Sequence, residues 1–243
     1  MDKPRPRLLV TRPKGQADGL IAGGQELGFD VMHVPCLEIV ATDIEIQQSD
    51  ISPYDAIVFS STNAVVHANK KLILPWEEAE TYALGEATYQ ALCNLGQAVV
   101  SKPLKPYDSE SFTKLFLQSP SSPDNLLVIK GTGGRGYIET ELRSRSISVG
   151  TLDVYKRQCP APSKTLASKL ARQFDVISVM SNETLDNLVH LASPHCPTLL
   201  SHNLIVNSER TRMHAQKLGF TGKIIVASSA GNSGQLEALS SLL

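Results

Sequence analysis

The chain has no excess of charge of one sign: 23 Lys and Arg stand against 24 Asp and Glu, for a formal net charge of -1. That excludes long-range attraction for a polyanion, so no nucleic-acid partner is expected and any anionic ligand must be held by local features. It also has no long apolar run. MDKPRPRLLV passes from basic residues straight into a strand-like stretch, so neither export nor a membrane span is expected. Cysteine is sparse: Cys36, Cys93, Cys159 and Cys196 form no C-x-x-C pair, which argues against a zinc site or a disulfide framework. Reduced thiols in a cytoplasmic protein with no metal are the expectation. The histidines His33, His67, His190, His195, His202 and His214 are scattered and form no catalytic constellation, so each reads as an ordinary surface or helix side chain. What is present is 243 residues, 42% of them hydrophobic, enough for one large domain or two small ones with packed cores.

The chain repeats itself. YDAIVFSSTNAV (54–65) matches FDVISVMSNETL (174–185) without gaps at an offset of 120, pairing Ser61 with Ser181. GEATYQALCNLG (85–96) matches SERTRMHAQKLG (208–219) at an offset of 123. More loosely, LLVTRPKGQADGLIAGGQELGFDVMHVPCLEI resembles LLVIKGTGGRGYIETELRSRSISVGTLDVY, with Arg12 facing Lys130. Every unit has an apolar β-branched run, a Ser/Thr/Gly/Asn turn and a helical pattern, with Gly96 and Gly219 as helix stops. Alternation of strand and helix implies parallel sheets covered by helices, and duplication implies two of them: a duplicated α/β architecture. The division between halves stays open. Cuts at both CLEIVATD (36–43) and DVYKRQ (153–158) make one half discontinuous, whereas composition favours a single cut near the Pro/Ser stretch QSPSSPDN (118–125).

KGTGGRG (130–136) matches G-x-G-x-x-G through Gly131, Gly133 and Gly136, follows the strand-like LLVI and precedes the helical YIETELRSR. Asp153, 22 residues past the first glycine, stands where a ribose-binding acid would be. A nucleotide-dependent enzyme using NAD(P) is therefore one reading. Against it, the loop opens the third strand-helix unit rather than the first, and its repeat partner TRPKGQADG lacks the pattern. A two-lobed, non-catalytic protein that closes on a small anion is another.

Taken together, the ordered segments LLVTRP, YDAIVFSSTNAV, ALGEATYQAL, LLVIKGTGGRG, LDVYKR, SNETLDNL and SERTRMHAQKLG resemble the uroporphyrinogen-III synthases, over nearly the whole chain. The resemblance implies two similar flavodoxin-like parallel-sheet lobes joined by a two-stranded extended connector. The lobes would be 1–35 with 160–243, and 40–152, with connectors at 36–39 and 153–159. It implies an active site in the cleft between lobes and no cofactor. The reaction implied is cyclisation of the linear tetrapyrrole hydroxymethylbilane to uroporphyrinogen III, with loss of water and inversion of ring D. A monomer is expected, with at most transient contact with the preceding enzyme of the pathway.

The substrate carries eight carboxylates and this protein almost no net charge. Backbone N–H groups at helix N-termini resolve that conflict, because they bind anions without lysines. The candidates are Thr11 and Arg12; Ser60, Ser61, Thr62 and Asn63; Gly85 and Thr88; Lys130, Gly131, Gly133 and Gly134; Ser181, Asn182, Glu183 and Thr184; and Ser208, Arg210 and Thr211. The same residue types are also plain N-caps, each stabilising its helix by about 1 kcal/mol without any ligand. The catalytic residue that the resemblance carries over is Tyr155 in LDVYKR. A tyrosine, with an ordinary pKa of about 10, is protonated at neutral pH and can donate to the departing hydroxymethyl oxygen. Its neighbours Lys156 and Arg157 point alternately on an extended strand, so at most one faces the site. Where many of the family have Arg, this chain has Lys130, a point charge in place of a fork.

Overall fold

A computed structural model describes residues 4–72, 76, 79–121, 123–229 and 231–243. In chain order, the first half runs through β1 (Arg7–Val10), α1 (Asp18–Glu26), β2 (Asp30–His33), β3 (Glu38–Ala41), β4 (Ala56–Phe59), α2 (Thr62–Asn69), β5 (Glu80–Ala83), α3 (Glu86–Asn94) and α4 (Ser109–Phe116). The second continues with β6 (Asn125–Gly131), α5 (Tyr137–Arg143), β7 (Ser148–Gln158), α6 (Lys164–Leu170), β8 (Val176–Val179), α7 (Asn182–Ala192), β9 (Asn203–Val206), α8 (Glu209–Lys217), β10 (Ile224–Val226) and α9 (Asn232–Ser240). Among the described residues no helix is long and apolar enough to cross a membrane.

The chain divides into two compact units, Met1–Glu38 with Gln158–Leu243, and Ile39–Arg157. The first is built on a sheet of order β10-β9-β8-β1-β2, the second on a sheet of order β3-β7-β6-β4-β5. Parallel pairing recurs in each, for example β1 with β8 and β4 with β6. Central strands of such sheets are covered on both faces, which explains why they read as unbroken apolar runs. Alternate residues then feed separate cores. In the first unit Leu9, Ile177, Val179, Leu204 and Val206 pack on one face, while Leu8, Val10, Val176 and Ile205 pack on the other. In the second, Ile57, Phe59, Leu127, Ile129, Leu152 and Val154 oppose Ala56, Val58, Leu126, Val128 and Val149.

Gly96 and Gly219 end α3 and α8 with φ of 76° and 92°, the left-handed conformation that a helix stop requires. One expectation needs adjustment. The helix read as YIETELRSR stops at Arg143 and caps on Ser144, because Ser146 takes the left-handed position (φ 66°) that turns the chain into β7. The stretch 153–158 is the second part of the eleven-residue β7, and β3 lies beside that strand in the sheet order. β7 also carries an irregularity: Lys130 pairs with Asp153, but the next residue, Gly131, pairs with Tyr155. Two residues on β7 answer one on β6, which is a bulge, and it breaks the alternation of faces. Consequently Val154 and Tyr155, adjacent in sequence, both join the same core cluster.

Candidate functional site

Parallel strands in one sheet all end on the same edge, and the turns that follow them collect there. In the second unit the turns after β4, β5 and β6 carry Ser60–Asn63, Gly85–Thr88 and Lys130–Gly134, and β7 brings Tyr155 to the same edge. A cavity of about 210 Å³ opens there, lined by Ser60, Ser61, Lys130, Gly131, Gly133, Gly134, Arg135, Tyr155 and Arg157 among others. Thr62, Asn63, Gly85 and Thr88 are not among the residues lining it. Arg157 faces the cavity and Lys156 does not line it, in keeping with their alternation along β7.

Tyr155 is only 4% exposed. Its hydroxyl is 3.1 Å from Ser61 Oγ. Its ring crosses Gly131 so closely that a Cβ at that position would lie 2.4 Å from Cζ. Gly131 is therefore needed for space: no side chain fits under the phenol. Ser61 is also the N-cap of α2, accepting from the Ala64 N–H at 3.1 Å. His67, further along α2, stacks on the Tyr155 ring with centroids 5.6 Å apart. Reading the sequence missed His67, and no local signal marks it, because its partner lies on a strand far along the chain.

Lys130 differs from expectation. Its ammonium bonds Glu139 Oε1 of α5 at 2.7 Å, with both side chains largely covered. Burial alone would raise the Glu139 carboxyl, but the bond from Lys130, its own backbone N–H and the charges of Lys130 and Arg143 outweigh burial and hold its pKa below the ordinary value. The positive charge expected to meet a ligand anion is thus already neutralised within the unit. Asp153, beside Lys130 in the strand register, keeps a buried Oδ1 with no hydrogen-bond partner.

The first unit gathers its own candidates at the ends of β1, β8 and β9. Arg12 is half-buried: its guanidinium bonds Asn232 Oδ1, its carbonyl meets His33 Nε2 at 2.9 Å, and burial lowers its pKa. Ser181 and Ser208 are N-caps, accepting from the N–H groups of Thr184 and Thr211 at 3.2 and 3.3 Å. Asn182 Oδ1 is buried without a partner, while Glu183 and Arg210 are exposed. Four expected hydroxyls turn inward. Thr11 is fully buried and donates to the Ser178 carbonyl at 2.7 Å, and Thr88, Thr184 and Thr211 are 4%, 2% and 2% exposed. The three helical threonines sit in the first turn and are covered, whereas the cap residues Gly85, Ser181 and Ser208 before them are partly exposed.

The comparisons with known proteins follow this architecture. The family model described as Uroporphyrinogen-III synthase HemD matches residues 18–236. The chain belongs to that family. It is 29% identical to the uroporphyrinogen-III synthase of Escherichia coli (strain K12), over 96% of this chain and 99% of that protein. The synthase of Salmonella typhimurium is 27% identical with the same coverage. Among solved structures, uroporphyrinogen-III synthetase from Helicobacter pylori 26695 superposes with a TM-score of 0.68 at 16% identity, over 99% of this chain and 100% of that one, a likeness of fold. The chain is thus a cyclising lyase of tetrapyrrole biosynthesis, acting on hydroxymethylbilane on the way to haem. Membership in the family displaces the NAD(P)-dependent reading of the glycine loop and the non-catalytic binding reading.

Proposed function

We propose that Tyr155 is the proton donor to the hydroxymethyl oxygen that leaves when the bilane closes with inversion of ring D. The observation that carries this reading is the contact of the Tyr155 hydroxyl with Ser61 Oγ at 3.1 Å, at the wall of the cavity. Ser61 Oγ is already an acceptor for the Ala64 N–H. Its own proton is then best donated to the Tyr155 oxygen, which leaves the phenolic proton to point elsewhere, toward the cavity. Hydrogen bonds linked in this way strengthen one another. The N-terminus of α2 adds a partial positive charge beside the phenol, which favours the negative charge that develops there as the proton departs. Loss of water leaves an azafulvene; the remaining task is to hold the rings while the spiro intermediate forms, which is positioning more than strong acid–base chemistry.

At about 210 Å³ the cavity is smaller than the roughly 300–1,000 Å³ usual for a drug-sized ligand, so in this reading it receives one end of the bilane. Arg157, Ser60 and the backbone of Gly133 and Gly134 are the groups offered to carboxylates there, in place of Lys130. The turns at Ser181–Glu183, Ser208 and Arg210, with Arg12, offer the same chemistry from the first unit. We read the two units as flavodoxin-like lobes of a cytoplasmic monomer; the four free cysteines fit a reducing compartment.

The test is turnover of freshly prepared hydroxymethylbilane with the product isomers resolved. Tyr155→Phe is expected to fold as the wild type and to lose at least about 100-fold in turnover, the low end for removing a general acid. Unchanged turnover would remove the role assigned to Tyr155.

A further inference from the structure

The Tyr155 phenol is constrained at three places. Gly131 passes under the ring, Ser61 meets the hydroxyl, and His67 covers a ring face, with planes inclined by 28°. His67 is itself 8% exposed, and its Nδ1 has no hydrogen-bond partner. Burial lowers its pKa, and Lys70 and Lys71 act in the same direction, so the ring is neutral at neutral pH and contributes contact, not charge. A buried nitrogen without a partner is a cost that a phenylalanine at the same place would not carry. The internal repeat supplies a parallel. The residue 120 positions beyond His67 is Asn187, on α7, and its side chain reaches the bend between β2 and β3, donating to the Cys36 carbonyl at 2.8 Å. In both units, this position of the repeated helix contacts a residue far along the chain: Tyr155 of β7 in one, the Cys36 carbonyl between β2 and β3 in the other.

We infer that His67 is a positioning residue for the reaction: its flat ring fixes the plane of the Tyr155 phenol, and with it the direction of the O–H bond, which lies in that plane and is turned to the cavity. This rests on Tyr155 being the proton donor. An aliphatic side chain of similar bulk fills the volume but leaves the phenol free to rotate, which degrades proton transfer without altering the groups that bind carboxylates.

Steady-state kcat and KM with hydroxymethylbilane, and melting temperatures, are to be measured for wild type, His67→Phe, His67→Leu, His67→Met, Tyr155→Phe and the double variant His67→Leu/Tyr155→Phe. His67→Leu and His67→Met, two substitutions so that one folded protein suffices, are expected to lose about tenfold in kcat with KM within about twofold, the pattern of an interaction felt in the transition state. His67→Phe keeps the flat ring and is expected to stay within about threefold of wild-type kcat, and to melt no lower. The double variant is expected to turn over no more slowly than Tyr155→Phe alone, because the two residues act as one unit. The inference is overturned if folded His67→Leu and His67→Met keep wild-type kcat, if His67→Phe is as impaired as they are, or if the losses at 67 and 155 multiply. Full turnover by Tyr155→Phe would instead defeat the assignment of the donor itself.

Discussion

The two units make the same helix start from nearly the same residues and use it differently. Ser61 caps α2 and Ser181 caps α7, each accepting from the backbone N–H three residues on, at 3.1 and 3.2 Å. In the first unit that third residue is Thr184, whose hydroxyl closes on Ser181 Oγ at 2.9 Å; Ser208 and Thr211 repeat the arrangement at 3.1 Å. In the second unit the third residue is Ala64, so no local hydroxyl competes, and Ser61 Oγ reaches Tyr155 instead. A cap that is self-contained in one copy is left open to tertiary contact in the other. Duplication thus supplies two equivalent scaffolds, and the absence of one hydroxyl in the first helical turn separates a locally closed cap from one that reaches another strand.

Substitutions at Gly131, at the paired caps Ser61 and Ser181, and at Ala64 probe this difference between the units. Gly131→Ala should act most strongly, since its Cβ would lie 2.4 Å from the Tyr155 ring and the phenol must move. A displacement of that size should lower turnover by about 100-fold; near-normal kinetics would show that Tyr155 does not depend on Gly131 for its place. Ser61→Ala and Ser181→Ala should each cost about 1 kcal/mol in denaturant titrations, as lost caps do. Only Ser61→Ala should also lose turnover, by roughly tenfold. Equal kinetic losses from the two would abolish the asymmetry drawn between the units. Ala64→Ser restores to the second unit the competing hydroxyl of the first. It should fold, with a cost of no more than about 1–3 kcal/mol for the added atom in a fully packed position, and should lower turnover several-fold. An unaffected rate in that variant would mean that Ser61 keeps its bond to Tyr155 despite the local rival.

Much of this was readable from the chain. The repeat Tyr54–Val65 with Phe174–Leu185 announced β4–α2 and β8–α7 because strand, cap and helix are encoded within a dozen residues. Gly96 and Gly219 announced their helix ends because a left-handed residue has a local cost that glycine avoids. The pairing of Lys130 is hidden because its charge is visible in the sequence but its partner is not: Glu139 comes alongside only once α5 folds back. His67 is unmarked for the same reason, since its contact is a ring on a distant strand, and Ser61 and Tyr155 stand 94 residues apart. The bulge at Lys130 and Gly131 was hidden as well. It belongs to the pairing of two strands, and strict alternation along LDVYKR would send Val154 and Tyr155 to opposite faces.

The Lys130–Glu139 pair has a consequence for kinetics. By pairing one of the three cationic side chains that line the cavity, in a chain of net charge -1, it weakens the electrostatic steering of an eight-fold anion. Capture then depends more on short-range bonds formed after contact, and the association rate should respond only weakly to added salt.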